Sequence, residues 1–313
     1  MDRLKKVFID GSAGTTGLRI FERLSTRDDI ELIVLEDKYR KSENHRREAL
    51  NNSDAVFLCL PDQAAKEAVA MIENPATVVI DASTAHRTKE GWTYGYPELS
   101  KSHEDQVRKA KRIANPGCHA SGFIALVYPL VEAGLLDQGA RLSCHSVTGY
   151  SGGGKQMIME YEDENRNILL DAPRQYGIGQ VHKHLDEMAR ISGLKTPPVF
   201  SPIVSGFYSG MVVTVPLFKE DLKIKAGLSD LRQVFKEKYQ GPVVSYVEKA
   251  DEDGFLSANA LSGKDSMQIM VEGNDDRMLL IARYDNLGKG ASGSAVQCLN
   301  LVLGRDMAYG LNL

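Results

Sequence analysis

The sequence predicts an α/β protein whose first half is a parallel sheet and whose second half is an α+β region. Two observations carry this. Short apolar runs alternate with helical patterns as far as residue 116, and from about Arg141 longer strand-like segments replace them. The chain's 313 residues fit two domains at roughly 100–200 residues each. The expected division is a first domain from residues 1–116 and 285–313, and a second from 117–284.

Lys6 to Asp10 is an apolar run that ends in a Gly-rich turn, and Leu18, Phe21 and Leu24 then share a helical face. Ile30 to Leu35 reads as strand, Glu36 to Glu48 as a charged loop, and Ala55 to Leu60 as a third strand stopped by Pro61-Asp62. Gln63 to Ile72 reads as helix and Thr77 to Asp81 as a fourth strand. Apolar strands separated by helices imply a parallel sheet covered on both faces. Beyond Arg141, the runs Arg141 to Val147 and Gly210 to Leu217 suggest longer strands. Met267 to Glu272 and Met278 to Tyr284 flank Gly273-Asn274-Asp275-Asp276 as a hairpin. Ala295, Val296, Leu299 and Leu303 give a last helix.

Composition is that of an ordinary globular chain, 42% hydrophobic and 26% charged. A net charge of −4 argues against nucleic acid or an anionic membrane as the main partner, since no chain-wide positive field exists. No apolar stretch reaches the ~20 residues that span a bilayer. The opening Met1 to Lys6 lacks an export signal. Cys59, Cys118, Cys144 and Cys298 show neither a CxxC pair nor zinc spacing. Free thiols in a reducing cytoplasm are the expectation.

Asp10-Gly11-Ser12-Ala13-Gly14-Thr15-Thr16-Gly17 follows the first strand and opens the first helix. Its glycines at 11, 14 and 17 let the backbone turn tightly against a pyrophosphate, which the helix N-terminal amides then meet. A plain Gly-rich turn would look similar, but strand before and helix after favour a Rossmann-type dinucleotide site. Glu36 and Asp37 stand where an acidic residue binds the 2′-hydroxyl of NAD, whereas Lys38, Arg40 and Lys41 can hold the 2′-phosphate of NADP.

Asn115-Pro116-Gly117-Cys118 precedes a helix striped by Phe123, Ile124, Val127, Leu130 and Val131. A cysteine at a helix N-terminus is stabilised as thiolate and can hold an acyl group as a thioester. The other three cysteines lie within apolar runs and read as structural. His182-Lys183-His184-Leu185-Asp186-Glu187-Met188 begins a further helix, either as a surface start or as a source of general acid–base chemistry. A metal set of His182, His184 and Glu187 lacks a supporting cluster or an HExxH pattern, so no metal is expected. His45, His86, His103, His119 and His145 carry no assignment. Arg87 leaves the fourth strand at the ligand-binding end of the sheet, where it serves equally as a carboxylate or phosphate clamp or as a surface arginine. Ser151-Gly152-Gly153-Gly154-Lys155 is a second Gly-rich turn. Asp285 to Gly293 precedes the last helix with small residues that allow close backbone approach.

Together these segments resemble the short form of N-acetyl-gamma-glutamyl-phosphate reductase along essentially the whole chain. The Gly-rich loop is widely shared, whereas the NPGC turn, the HKHLDEM segment and Asp285-Asn286-Leu287-Gly288-Lys289-Gly290-Ala291, in that order, are specific. The resemblance implies a catalytic domain like those of the semialdehyde and glyceraldehyde-phosphate dehydrogenases. It also implies a homo-oligomer and NADPH-dependent reduction of N-acetylglutamyl phosphate to the semialdehyde, with release of inorganic phosphate, in arginine biosynthesis. Cys118 would be the nucleophile and His182 its acid–base partner. Arg87, Asn115, His184 and Glu187 would contact substrate. Gly11, Ser12, Gly14, Thr15, Thr16, Gly17, Arg40, Ser83, Ser151, Gly152, Gly153, Asn286, Lys289 and Gly290 would contact NADPH or NADP. His119 departs from the family, which mostly has an aromatic residue there. The alternatives are a reductase of another acyl phosphate, such as an aspartyl or lysine-pathway analogue, a nucleotide-binding regulator without catalysis, and a zinc hydrolase.

Overall fold

The computed structural model describes residues 3–223 and 226–313; Met1 and Asp2, part of the opening read for an export signal, lie outside them. The chain divides into two compact units, Met1–Pro116 with Ala291–Leu311, and Gly117–Gly290 with Asn312–Leu313.

The first unit holds strands β1 (Lys5–Asp10), β2 (Ile30–Ile33), β3 (Ala55–Leu58), β4 (Val78–Asp81), β5 (Thr93–Tyr94) and β6 (Arg112–Ala114). They form one sheet in the order β2-β1-β3-β4-β6-β5, parallel throughout. Side-chain alternation divides its two faces. Val7, Ile9, Phe57 and Ile80 pack on Ile20 and Leu24 of helix Thr15–Leu24 and on Ala295, Val296 and Leu299 of helix Gly293–Val302. Phe8, Val56, Leu58 and Val79 pack the other way, on Ala49, Leu50, Ala65 and Ala68. The parallel sheet covered on both faces is therefore found.

One element differs from expectation. The tract from Glu36 to Glu48 is not a plain loop but a 3-10 turn, Asp37–Tyr39, and a helix, Glu43–Asn51. Only Ala49 and Leu50 of that helix are buried, so no apolar stripe announced it. Its pairing of Arg47 with Glu43 at 3.0 Å is an i,i+4 contact that supports a helix.

The second unit holds β7 (Ser143–Gly149), β8 (Arg174–Gln175), β9 (Val199–Ser205), β10 (Met211–Phe218), β11 (Val244–Tyr246), β12 (Met267–Gly273) and β13 (Arg277–Tyr284). The order is β11-β12-β13-β10-β7-β9-β8, a mixed sheet. The hairpin lies where the sequence put it, with Gly273 opposite Met278 and at φ +115°, where a Cβ would stand 2.3 Å from the Arg277 carbonyl oxygen. β9 escaped notice because Pro202 interrupts it, although it pairs with both β7 and β8.

The return to the first unit comes at Ala291 rather than at 285. Asp285 is held inside the second unit by Ser209 Oγ at 2.7 Å and by the amides of Gly263 and Leu287. Asn286 Oδ1 accepts from Gly210 N–H at 2.9 Å. Among the described residues, no helix is long and apolar enough to cross a membrane.

Candidate active site

In the first unit, the Gly-rich loop closes on itself. Gly11 has φ +88°, and a Cβ on it would lie 2.3 Å from the Cys59 carbonyl oxygen; one on Gly17 would lie 2.3 Å from that of Gly11. Only glycine fits either place. Gly14 donates to the Gly11 carbonyl at 3.0 Å and precedes helix Thr15–Leu24 with no side-chain cap on its first-turn amides. Thr15 and Thr16 open that helix half-buried. A cavity of about 330 Å³ lies beside the loop, lined by Gly11, Ser12, Arg40, Lys41 and Arg46 among apolar walls that include Phe21 and Leu32. Uncapped helix amides, a backbone cradle and an apolar recess fit the phosphates and base of a dinucleotide.

The acidic residues near this cavity are each paired. Arg40 meets Asp37 at 2.9 Å and Lys38 meets Glu36 at 2.9 Å. Arg46 donates from Nε (3.1 Å) and Nη2 (2.8 Å) to Asp10 Oδ2. Arg46 is a member of the site that the sequence did not reveal; its partner is 36 positions away.

At the end of β4, Asp81 gathers Ser83, whose Oγ donates at 2.7 Å, and His86, whose Nδ1 lies at 2.6 Å. Arg87 Nε donates to the Asn115 carbonyl at 3.0 Å and Nη2 to that of Ala82 at 3.3 Å. Asn115 is 1% exposed; its Nδ2 donates to the Ala291 carbonyl at 2.9 Å. Among the described residues, its Oδ1 has no hydrogen-bond partner, which leaves a buried acceptor available to a ligand.

The second unit positions Cys118 as the first residue of helix Cys118–Glu132, half-buried, with Gly117 as a cap that contributes no side chain. Cys59 and Cys144 differ from it: burial pushes the Cys59 thiol up to about 12, and burial raises Cys144 further still, so neither is a thiolate near neutral pH. Glu187, 2% exposed, accepts from Gly117 N–H at 2.8 Å. It therefore fixes the backbone that presents Cys118. Among the described residues, no group of three His, Cys, Asp or Glu side chains is arranged to hold a metal ion.

His182 and His184 precede helix Leu185–Ser192, with His184 in the cap position. His184 N–H donates to His182 Nδ1 at 3.2 Å, so a neutral His182 ring bears its proton on Nε2. The two rings are 4.7 Å apart, and His182 lies 5.9 Å from His119. Gly290 packs on Cys118, where a Cβ would stand 3.1 Å from that of the cysteine. Asn286 Nδ2 donates to Ser151 Oγ at 3.0 Å, and Gly152 lies against the same amide. Gly153 closes the turn before helix Gly154–Glu162, and Lys289 is buried, at 1% exposure.

Sequence reasoning missed Gly122, Tyr284, Ser146 and Tyr176. Tyr284 Oη accepts from Gly122 N–H at 2.9 Å and donates to the Cys118 carbonyl at 2.5 Å. Among these, only Gly122 left a local sign, as a glycine inside an apolar helix.

Residues 6–107 match the family model described as the semialdehyde dehydrogenase NAD binding domain, and residues 118–286 match the semialdehyde dehydrogenase dimerisation domain. The chain is 42% identical to N-acetyl-gamma-glutamyl-phosphate reductase 2 of Nostoc sp., over 98% of this chain and 99% of the relative. It is 44% identical to N-acetyl-gamma-glutamyl-phosphate reductase of Brucella ovis, over 96% and 99%. The chain belongs to the N-acetyl-gamma-glutamyl-phosphate reductase family.

The fold of this reductase family member is shared with more distant structures. Aspartate semialdehyde dehydrogenase II of Vibrio cholerae, complexed with ASA, superposes with a TM-score of 0.74 at 15% identity, over 97% of this chain and 99% of that one. Aspartate semialdehyde dehydrogenase of Candida albicans, with NADP, gives 0.62 at 15% identity, over 96% and 99%. At such identity the likeness establishes fold alone, and the expected semialdehyde dehydrogenase architecture is present.

Proposed function

We propose that this chain is an NADPH-dependent reductase that converts N-acetylglutamyl 5-phosphate to N-acetylglutamate 5-semialdehyde and phosphate, in the cytoplasm and as a homo-oligomer. The observation that carries the reading is Cys118 at a helix N-terminus, with its turn clamped by Glu187 and a histidine cluster beside its neighbour His119.

The Cys118 thiolate attacks the acyl carbon; a C–S bond forms, the C–O bond to phosphate breaks, and inorganic phosphate leaves. Bound NADPH supplies the hydride that reduces the thioester. Protonated His182 gives its Nε2 proton to the thiohemiacetal oxygen, becoming neutral, and takes the proton back as the C–S bond breaks to release aldehyde and thiolate. Amides of the first turn of helix Cys118–Glu132 stabilise the oxyanion. Arg87 and Asn115 hold polar groups of the substrate, and His184 helps orient it. The loop Gly11–Gly17, together with Arg40 and Ser83, binds NADPH in the first unit. Ser151, Gly152, Gly153, Asn286, Lys289 and Gly290 complete the cofactor contacts.

The test is the reverse assay, which follows NADP⁺ reduction with N-acetylglutamate semialdehyde and phosphate. Phosphate-dependent turnover is expected, exceeding that with aspartate semialdehyde or with NAD⁺. Turnover with another semialdehyde alone would overturn the substrate, and NADPH binding without any turnover would leave a regulator.

A further inference from the structure

His119 follows the nucleophile directly and is 3% exposed. Both of its ring nitrogens are engaged, Nδ1 with Ser146 Oγ at 2.7 Å and Nε2 with Tyr176 Oη at 2.6 Å. Its ring lies 5.9 Å from His182, 5.6 Å from His184 and 5.3 Å from Phe200, between centroids. Tyr176 lies 6.0 Å from His182. Tyr176, His182 and His119 thus form one cluster.

The direction of the hydrogen bonds follows from counting protons. Ser146 on β7 is 0% exposed, and among the described residues His119 Nδ1 is the one hydrogen-bond partner of its hydroxyl. A buried hydroxyl that leaves its proton unmatched costs about 1–3 kcal/mol. Ser146 therefore donates to Nδ1, and Nδ1 is an acceptor. Burial, with the charges of His182 and Lys183, lowers the ring's pKa to about 3, so His119 is neutral and its single proton is on Nε2. Nε2–H donates to Tyr176 Oη. The hydroxyl hydrogen of Tyr176 is then left unspent within the cluster. Burial, and after it the charge of Cys118, pushes the phenol well above its usual range, so that hydrogen stays in place and the sulfur lies within electrostatic reach of it.

We propose that Tyr176 is a further catalytic residue, whose hydroxyl donates a hydrogen bond to the oxygen of the acyl group on Cys118. In this assignment His119 and Ser146 are positioning residues that set the ring tautomer and keep the phenol hydrogen free for that oxygen. The inference rests on the thioester reading of Cys118. It assigns Tyr176 the role of an oxyanion donor, adding to the backbone amides. No proton is transferred: the phenol keeps its hydrogen through both tetrahedral intermediates.

The experiment uses the full chain in the phosphate-dependent reverse assay with N-acetylglutamate semialdehyde and NADP⁺. Tyr176→Phe should lower kcat on the order of 10²-fold, as loss of one oxyanion donor does, with the KM values nearly unchanged. His119→Phe keeps a ring in the cluster but loses both bonds, and it should also lower kcat. Combined with Tyr176→Phe it should add little further, because the two act through one hydroxyl; fully additive losses would assign His119 a separate, structural role and overturn its positioning role. Independently of any variant's folding, ¹⁵N NMR of histidine-labelled wild-type protein should show His119 protonated at Nε2. A proton on Nδ1, or wild-type kcat in Tyr176→Phe, overturns the inference while the thioester reading stands. Wild-type protein without phosphate-dependent turnover would instead overturn that reading, and the inference with it.

Discussion

The hydroxyl of Tyr284 bridges Cys118 and Gly122, donating to the carbonyl of the first and accepting from the amide of the second. Both groups lie in the opening turns of helix Cys118–Glu132, so the phenol ties down the turn that carries Cys118. Tyr284 is fully buried, which raises its pKa well above the usual range, so it remains a donor at any working pH. Gly122 permits this close approach, since a Cβ there would lie 2.6 Å from the same hydroxyl. Tyr284→Phe should cost about 1–3 kcal/mol of stability and slow alkylation of Cys118, measured by thermal unfolding and by iodoacetamide kinetics.

Glu187 acts on the same turn through a buried charge-assisted bond to Gly117 N–H. Glu187→Ala removes the acceptor, a loss of about 1.5–3 kcal/mol, and should lower kcat/KM markedly. Glu187→Gln keeps an acceptor oxygen and should retain more activity than the alanine variant. Equal loss in the two would assign the effect to charge instead of position.

Arg46 neutralises Asp10 beneath the nucleotide loop. Arg46→Ala would leave a 4% exposed carboxylate unpaired beside the Gly-rich loop proposed to hold the pyrophosphate. NADPH affinity should fall roughly tenfold, equivalent to about 1.4 kcal/mol of repulsion, and adding Asp10→Asn should recover part of it. Fluorescence titration with NADPH reads both.

His119 makes stability depend on pH. Its folded pKa, about 3, lies below the ordinary 6.5, so the unfolded chain binds the extra proton. The stabilisation from burying the neutral ring is complete above about pH 6.5 and is lost as pH falls toward 3, at a slope up to about 1.4 kcal/mol per pH unit. His119→Phe should flatten the fall in melting temperature between pH 7 and 4. An unchanged slope would mean that other groups carry it.

What could be read in the sequence was what short spacing encodes. The loop Gly11–Gly17, the turn before Cys118 and the segment around His182 each pair a turn with a following helix, and alternating apolar runs gave the parallel sheet. What could not be read depends on distant partners. Tyr284 lies 166 positions from Cys118 and Tyr176 lies 57 from His119, and no local pattern marks either tyrosine. Helix Glu43–Asn51 was hidden by its polarity and β9 by Pro202. The site of return to the first unit was misplaced by six residues because the bonds of Asp285 to Ser209 and Gly263 are tertiary.

Cys118→Ser, set against wild type in the phosphate-dependent reduction of NADP⁺ by N-acetylglutamate semialdehyde, tests the central claim most directly. Covalent catalysis by Cys118 predicts that the variant binds NADPH like wild type yet shows no phosphate-dependent turnover. Turnover in the variant at the wild-type rate would contradict it.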